Sequence, residues 1–239
     1  MPADSAEPVM APKDLVTHVI FDVDGLLLNT ETLYTKTCDR VVGQFGKKYT
    51  WEIKVSQMGM KGSEAAARIV KQLDLPLTPE EYLRQSAHIW EELFPTAELM
   101  PGAERLVRHL HRHQVPIALA SGGSAPNFQL KTSRHGEFFS LFSHVVLASS
   151  DPEVTNGKPA PDVYRIAAER FERPPARPEH VLTFEDAPNG VQSARAAGMH
   201  CVMVPDPRMP EEKKKDATLV LTSLEHFKPE MFGLPAYDA

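Results

Sequence analysis

Two carboxylates separated by a single residue, Asp22 and Asp24, directly follow a short apolar run near the start of this 239-residue chain. A carboxylate that faces a phosphate ester can attack phosphorus, and a second one nearby can transfer a proton to or from the leaving oxygen. Alone, an Asp-x-Asp before Gly25 is a weak signal, because Asp and Gly are common turn residues. A plain strand-to-loop turn remains the alternative at this point.

Further polar groups follow later apolar runs. Ser121 and Gly122 begin a Ser-Gly-Gly segment whose N–H groups can contact a phosphate, Lys158 lies between a glycine and a proline, and Glu185 and Asp186 precede a helical pattern. Each group has an ordinary alternative: a turn serine, a surface lysine, or acids that favour the positive end of a helix. Their common position after successive apolar runs favours one shared site.

Residue chemistry assigns provisional roles within such a site. Oxygen ligands from Asp22, Asp24 and Asp186 suit Mg²⁺, which prefers hard donors. We expect Asp22 to be both a ligand and the nucleophile, and Asp24 to be the acid and base. Lys158 and the segment that begins at Ser121 would hold the phosphate oxygens.

The apolar runs themselves predict buried strands. These are Val16–Phe21, Pro116–Ala120, His144–Leu147, His180–Phe184 and Cys201–Val204, with a weaker sixth at Thr218–Leu221. Helical spacing at Ala103–His113 and Pro188–Ala197 completes an alternation that is typical of parallel sheets. We therefore predict an α/β fold: a Rossmann-like parallel sheet with helices on both faces and ligands at the carboxyl ends of its strands.

The alternation stops after the first strand, where the chain shows helical patterns and no convincing strand. Helices are predicted there at Glu31–Gln44, Ser63–Leu73 and Pro79–Leu93. We expect residues 31–100 to form an inserted helical cap domain, residues 15–30 and 101–239 to form the core domain, and residues 1–14 to be a flexible tail.

A cap that closes over the core would keep bulk water out of the site. The loop Gly59–Gly62 is its best candidate for reaching the site, and Lys61 in that loop could bind substrate. An ordinary exposed loop lysine is an equally good reading. The aromatic residues Tyr34 and Trp90 are expected to serve packing rather than substrate stacking.

Composition limits the partners. The chain has 26 basic and 32 acidic residues, so a nucleic acid polymer, which needs a positive surface, is not expected. No apolar run is long enough to cross a membrane, and Cys38 and Cys201 are too few for a disulfide framework. We expect a cytoplasmic protein whose partner is a small phosphorylated metabolite. The sequence leaves the oligomeric state open and is compatible with a monomer.

Taken together, the site segments resemble the four motifs of the haloacid dehalogenase superfamily, in its branch with a helical cap after the first strand. The matching residues are Asp22-Val23-Asp24-Gly25, Ser121, Lys158 and Glu185-Asp186. The resemblance implies a metal held by Asp22, Asp186 and the main-chain carbonyl of Asp24, with Glu185 as a supporting carboxylate. It also implies phosphate esters as substrates, because the dehalogenase and phosphonatase branches lack an Asp at the position of Asp24.

The chain also resembles a group of eukaryotic phosphatases within this superfamily. That resemblance covers about residues 16–237 and includes the segments Lys131–His135 and Phe232–Pro235. It implies a role in nucleotide metabolism, with pseudouridine 5'-phosphate hydrolysed to pseudouridine and phosphate. Plant phosphatases that act on glycerol 3-phosphate share many of these segments, so that ester is an alternative, as is a sugar phosphomutase reaction. A non-catalytic protein would have no reason to keep the four charged motif residues together.

Overall fold

The structure, a computed structural model, describes residues 15–58 and 60–238. The predicted tail and Gly59 lie outside the described residues. One sheet contains six strands: β1 His18–Phe21, β2 Ile117–Ser121, β3 Val145–Leu147, β4 Val181–Glu185, β5 His200–Met203 and β6 Leu219–Val220. Their order is β3-β2-β1-β4-β5-β6, and all the neighbouring strands are parallel. The predicted parallel sheet is confirmed, with strand ends that differ from the prediction by at most two residues.

The central strand β1 supplies side chains to both faces of the sheet, because successive residues of a strand point to opposite sides. Val19 and Phe21 belong to a buried cluster that also contains Leu106, whereas Ile20 belongs to a second cluster with Tyr164. Both faces are therefore covered by apolar packing, which explains why the strands are continuous apolar runs and not alternating patterns.

The helices are α1 Glu31–Gly43, α2 Trp51–Val55, α3 Gly62–Leu73, α4 Pro79–Leu93, α5 Ala103–Arg112, α6 Ala125–Thr132, α7 Gly136–Phe139, α8 Asp162–Glu169 and α9 Pro188–Ala196. Helix α5 packs in the cluster of Phe21, and α8 and α9 pack in the cluster of Ile20. Short 3₁₀ turns occur at Phe94–Thr96, Pro178–His180, Glu211–Lys213, Leu224–His226 and Pro229–Phe232.

The segment between β1 and α5 contains α1 to α4 and, among its described residues, no strand of the sheet. The three predicted helices are present, and α2 is an addition. Helix α4 begins where the sequence directs it: Thr78 and Glu81 form a reciprocal capping box and Pro79 occupies the first turn. These helices share their own buried cluster, which includes Val41, Ile69, Cys38, Val42, Leu75 and Tyr82. The division of the chain into a cap and a core domain remains a prediction.

The chain enters and leaves this helical segment along two paired connections. Leu28 and Leu99 form an antiparallel bridge, the Asn29 N–H donates to the Glu98 carbonyl at 2.9 Å, and the Met100 N–H donates to the Leu27 carbonyl at 2.9 Å. A further contact joins the segment to helix α9, since Asn189 Nδ2 donates to the Met58 carbonyl at 2.8 Å. Among the described residues, no helix is both long and apolar enough to cross a membrane.

Candidate active site

A buried lysine joins two carboxylates at the carboxyl ends of β1 and β4. Lys158 Nζ donates to Asp22 Oδ1 at 2.5 Å, to Glu185 Oε1 at 2.6 Å and to the Ala120 carbonyl at 3.0 Å. Strand pairing explains the arrangement: Phe21 lies opposite Phe184, so the next residues, Asp22 and Glu185, emerge side by side. Lys158 itself is fully buried.

The carboxylate of Glu185 also accepts hydrogen bonds from other donors of the protein. Its Oε1 also accepts from the Tyr164 hydroxyl at 2.5 Å, and its Oε2 accepts from the N–H groups of Asp186 at 3.2 Å and Ala187 at 3.4 Å. The backbone of α9 comes so close that a Cβ at Gly190 would lie 1.9 Å from this carboxylate, so the position requires glycine. Glu185 therefore holds Lys158 in place, as a supporting residue should.

Three carboxylates, those of Asp22, Glu185 and Asp186, place oxygen atoms within 4.8 Å of one another. Burial raises the pKa of Asp22 to about 8, against the opposing effect of Lys158. Burial, with Glu31 and Asp22 nearby, also raises the pKa of Asp186 well above its usual range. Burial alone would lower the pKa of Lys158, but the carboxylates of Asp22 and Glu185 outweigh it and raise that pKa. One lysine does not neutralise this cluster.

The cluster fits a hard divalent cation such as Mg²⁺. The Asp186 carboxylate forms no ion pair with any residue that the structure describes, although it is only 5% exposed. A cation between Asp22 and Asp186 would counter the burial and the repulsion that raise both pKa values, because an adjacent positive charge favours the ionised form. Asp22 and Asp186 are better placed to hold it than Glu185, because both oxygens of Glu185 accept hydrogen bonds from the protein, whereas Lys158 contacts Asp22 at Oδ1.

The carboxylate of Asp24 is held elsewhere. Lys131 Nζ, from α6, donates to Asp24 Oδ1 at 2.6 Å and Oδ2 at 2.7 Å, and the Thr30 hydroxyl donates to Oδ1 at 2.8 Å. The side chain of Asp24 is therefore not a member of the carboxylate cluster, which corrects the expectation of a third carboxylate ligand. Its main-chain carbonyl remains the ligand that the family resemblance implies. Lys131 also donates to the Tyr34 hydroxyl at 3.3 Å.

The predicted phosphate-binding segment lies beside Asp24. Ser121 ends β2 and is 1% exposed. Its hydroxyl donates to Asp24 Oδ2 at 3.2 Å and accepts from the Gly123 N–H at 3.1 Å. Gly122 lines the cavity described below. The structure thus brings Ser121, Gly122 and Asp24 together, while their contact with phosphate remains a prediction.

Lys61 is neither exposed nor directed at the two motif carboxylates. Its Nζ donates to the backbone carbonyls of Val154 at 2.9 Å and Thr155 at 3.0 Å. Its aliphatic part lies so close to Gly157 that a Cβ there would be 2.6 Å from Lys61 Cγ. The ammonium group thereby connects the helical segment to the loop after β3. A role in substrate binding stays a prediction.

A cavity of about 740 Å³ opens above these groups. From the sheet side it is lined by Asp22, Asp24, Asp186, Gly122 and Gly123, and from the helical segment by Tyr34, Tyr49, Gln57, Lys61, Tyr82, Arg84 and Trp90. Tyr34 and Trp90 do pack, as predicted, since both form ring contacts with Phe94, but they also face this cavity.

Two charged groups of the site are absent from the sequence prediction. Lys131 lies 107 positions from its partner Asp24, and its helix shows no pattern that marks one lysine as buried. Glu31 forms an ion pair with Lys54 at 3.0 Å at the edge of the carboxylate cluster. A useful signal for Glu31 is its position, seven residues after Asp24 at the start of α1, where the strand-end loop returns towards the site.

Comparisons with known proteins agree with this geometry. The family of haloacid dehalogenase-like hydrolases matches residues 19–204. A Drosophila melanogaster protein described as a probable pseudouridine-5'-phosphatase is 53% identical over 222 residues, which cover 93% of this chain and 96% of that protein. The (DL)-glycerol-3-phosphatase 2 of Arabidopsis thaliana is 47% identical over 232 residues, or 96% of each chain.

Among solved structures, CbbY from Rhodobacter sphaeroides in complex with phosphate superposes with a TM-score of 0.74 at 25% identity, over 89% of this chain and 96% of that one. The predicted enzyme class, a phosphoric monoester hydrolase, and the predicted α/β fold are confirmed by these similarities. The matched region spans most of the described residues, sheet and helical segment alike. The chain belongs to the haloacid dehalogenase-like hydrolase family.

Proposed function

We propose that this enzyme hydrolyses pseudouridine 5'-phosphate in a Mg²⁺-dependent reaction that passes through an aspartyl phosphate on Asp22. One observation carries the proposal: Asp22 lies on the floor of the cavity, in the same buried cluster as Asp186, with Lys158 at 2.5 Å. A buried carboxylate is a useful nucleophile only when ionised, and the ammonium group of Lys158 favours that form.

The first step forms the covalent intermediate. A carboxylate oxygen of Asp22 attacks phosphorus, the bond between phosphorus and the ester oxygen breaks, and Asp24 gives a proton to that leaving oxygen. Lys158 holds Asp22 in position and is close enough to share its charge with the phosphate. The Ser121 hydroxyl, 3.2 Å from Asp24, and the N–H group of Gly122, which lines the same cavity, would contact phosphate oxygens.

The second step releases phosphate. Water attacks the phosphorus of the aspartyl phosphate, Asp24 accepts the proton of that water, and the carboxylate of Asp22 is restored. Bound Mg²⁺, held by Asp22, Asp186 and the main-chain carbonyl of Asp24, would neutralise charge on the phosphate and the carboxylates.

The choice of ester is supported by similarity and by the cavity. The relative described as a probable pseudouridine-5'-phosphatase is 53% identical, against 47% for the plant glycerol-3-phosphatase. A cavity of about 740 Å³ that reaches into the helical segment has room for a leaving group much larger than glycerol. Glycerol 3-phosphate is the second candidate because its relative covers the chain equally well.

Phosphate release tests the proposal. We expect kcat/KM to be highest for pseudouridine 5'-phosphate, compared with glycerol 3-phosphate and uridine 5'-phosphate, and activity to disappear reversibly when a chelator removes Mg²⁺. Asp22→Asn keeps the shape of the side chain but cannot form the acyl phosphate, so it should release no phosphate. Turnover by a pure Asp22→Asn sample would overturn the mechanism. A preference for glycerol 3-phosphate would overturn the substrate only, and a requirement for a bisphosphate activator would indicate a phosphomutase.

A further inference from the structure

One polar side chain in the cavity wall has an unfilled hydrogen-bonding position. Gln57 follows α2, lines the cavity and is only 7% exposed. Its Nε2 donates to the Tyr49 hydroxyl, whereas its Oε1 has no hydrogen-bond partner among the described residues. A buried acceptor without a partner is costly and uncommon, so this oxygen calls for an explanation.

The surroundings of Gln57 hold it in place. Tyr49, which binds its Nε2, also lies against the thiol of Cys38, and the Tyr82 hydroxyl donates to that same sulfur at 3.1 Å. This chain of contacts anchors the donor end of the amide to the packed interior of the helical segment. The acceptor end is then the part of the side chain left for a molecule in the cavity.

A second residue of the cavity wall also has a buried polar atom without a partner. Trp90 Nε1 is a donor, because an indole nitrogen carries a hydrogen and no free acceptor position, and no described residue accepts from it. Of the two, Gln57 is the one that supplies an acceptor. A flat heterocycle with an N–H on its edge is complementary to such an acceptor.

We infer that Gln57 determines which leaving group is accepted, because its Oε1 accepts the N1–H of a pseudouracil ring. This inference rests on the proposed function and adds a recognition site to it. Pseudouridine is joined to ribose through carbon, so it carries an N1–H where uridine, with the same outline, carries a C–H. An enzyme that accepts a hydrogen bond at this position discriminates between the two nucleotides although their shapes are the same.

The inference is tested by comparing how two nucleotides bind to a parent enzyme and to a Gln57 variant of it. Binding of pseudouridine 5'-phosphate and of uridine 5'-phosphate is measured calorimetrically, with Mg²⁺, on the Asp22→Asn enzyme, which retains ligand without turnover. We expect pseudouridine 5'-phosphate to bind roughly 10- to 100-fold more tightly, the range expected when a buried acceptor gains or loses its partner. Adding Gln57→Met should reduce this ratio to within about threefold, since the acceptor is gone and the volume is kept.

Two further variants separate recognition from structure. Gln57→Glu keeps an oxygen acceptor and should retain the preference for pseudouridine 5'-phosphate. Gln85→Met is the matched control, because Gln85 Oε1 is also buried without a partner in the described part of the chain but the residue does not line the cavity. Its binding ratio should equal that of the Asp22→Asn parent.

The outcomes also distinguish this inference from the proposed function. Equal binding of the two nucleotides to the Asp22→Asn parent overturns the role of Gln57. A preference for pseudouridine 5'-phosphate that Gln57→Met leaves unchanged overturns it as well. The first measurement does not depend on whether a Gln57 variant folds. If the unmodified enzyme released phosphate from none of the esters, but the binding ratios were as expected, the proposed function would be overturned and the recognition site would be retained.

Discussion

The floor of the cavity contains two buried lysine–carboxylate pairs that differ in what holds them. Lys158 contacts Asp22, Glu185 and a carbonyl of β2, all of which belong to the sheet and its strand ends. Lys131 contacts Asp24 and, at its other side, the hydroxyl of Tyr34 in α1 of the helical segment. Both lysines are almost completely inaccessible to solvent, with exposures of 0% and 1%.

This difference separates the two carboxylates that are proposed to react. The lysine that holds the proposed nucleophile contacts only groups at the strand ends, whereas the lysine that holds the proposed acid also contacts the helical segment, through Tyr34. Loss of the first lysine should therefore affect all substrates, and loss of the second should affect mainly those that need their leaving oxygen protonated.

Among the lysine variants, Lys158→Met should have the largest effect. Methionine keeps most of the volume but leaves Asp22 and Glu185 without a cation, so kcat should fall by roughly 100-fold or more on every ester, as when one preorganised electrostatic partner of a transition state is removed. Breaking a buried ion pair typically costs about 3–5 kcal/mol, so thermal unfolding should be measured beside the rate. A folded variant with an ordinary rate would remove Lys158 from the mechanism.

Lys131→Met should have a smaller and selective effect. Because Asp24 loses the cation that orients it, kcat on an alkyl phosphate should fall by about tenfold, a fraction of what general acid catalysis contributes. An activated aryl phosphate, whose leaving group needs little protonation, should be affected much less. Lys71→Met in α3, at an exposed position, is the matched control. Equal losses on the alkyl and aryl esters would mean that Lys131 only supports the fold.

Lys61→Ala should have the smallest effect. It removes two hydrogen bonds to backbone carbonyls between the helical segment and the loop after β3, each worth about 1 kcal/mol. We expect KM to rise severalfold with little change in kcat, measured by steady-state kinetics on the preferred ester. A large drop in kcat at saturating substrate would instead place Lys61 in contact with the reacting groups.

The parts of this molecule that sequence could predict are those governed by strands. Buried parallel strands are continuous apolar runs, so their positions were readable, and parallel topology brings their carboxyl ends to one edge. Asp22 and Glu185 therefore both contact Lys158, and Ser121 contacts Asp24, at the edge where the sequence predicted a shared site. Helix α4 was readable as well, because its capping box and first-turn proline are local signals.

The features that the sequence did not predict depend on packing between elements that are distant in the chain. Helix α2 has only five residues, which is too short for a helical period to show. The contact of Lys131 with Asp24 exists only because α6 packs against α4 and the turn at Phe94–Thr96, and no local pattern encodes that arrangement. Gln57 stands out only when its buried oxygen is seen without a partner. The sequence also did not show that Lys131 binds the carboxylate of Asp24, so that carboxylate was expected in the carboxylate cluster.

The hydrogen bond from Asn189 to the Met58 carbonyl, at 2.8 Å, has a thermodynamic consequence. Asn189 is three residues from Asp186, and Met58 is the neighbour of Gln57, so this single bond connects the loop of the carboxylate cluster to the wall beside Gln57. In the proposed enzyme, a displacement of that wall would move the start of α9, next to Asp186. Cation affinity and leaving-group affinity would then be linked quantities: whatever factor a bound nucleoside contributed to cation binding, the cation would return to the nucleoside.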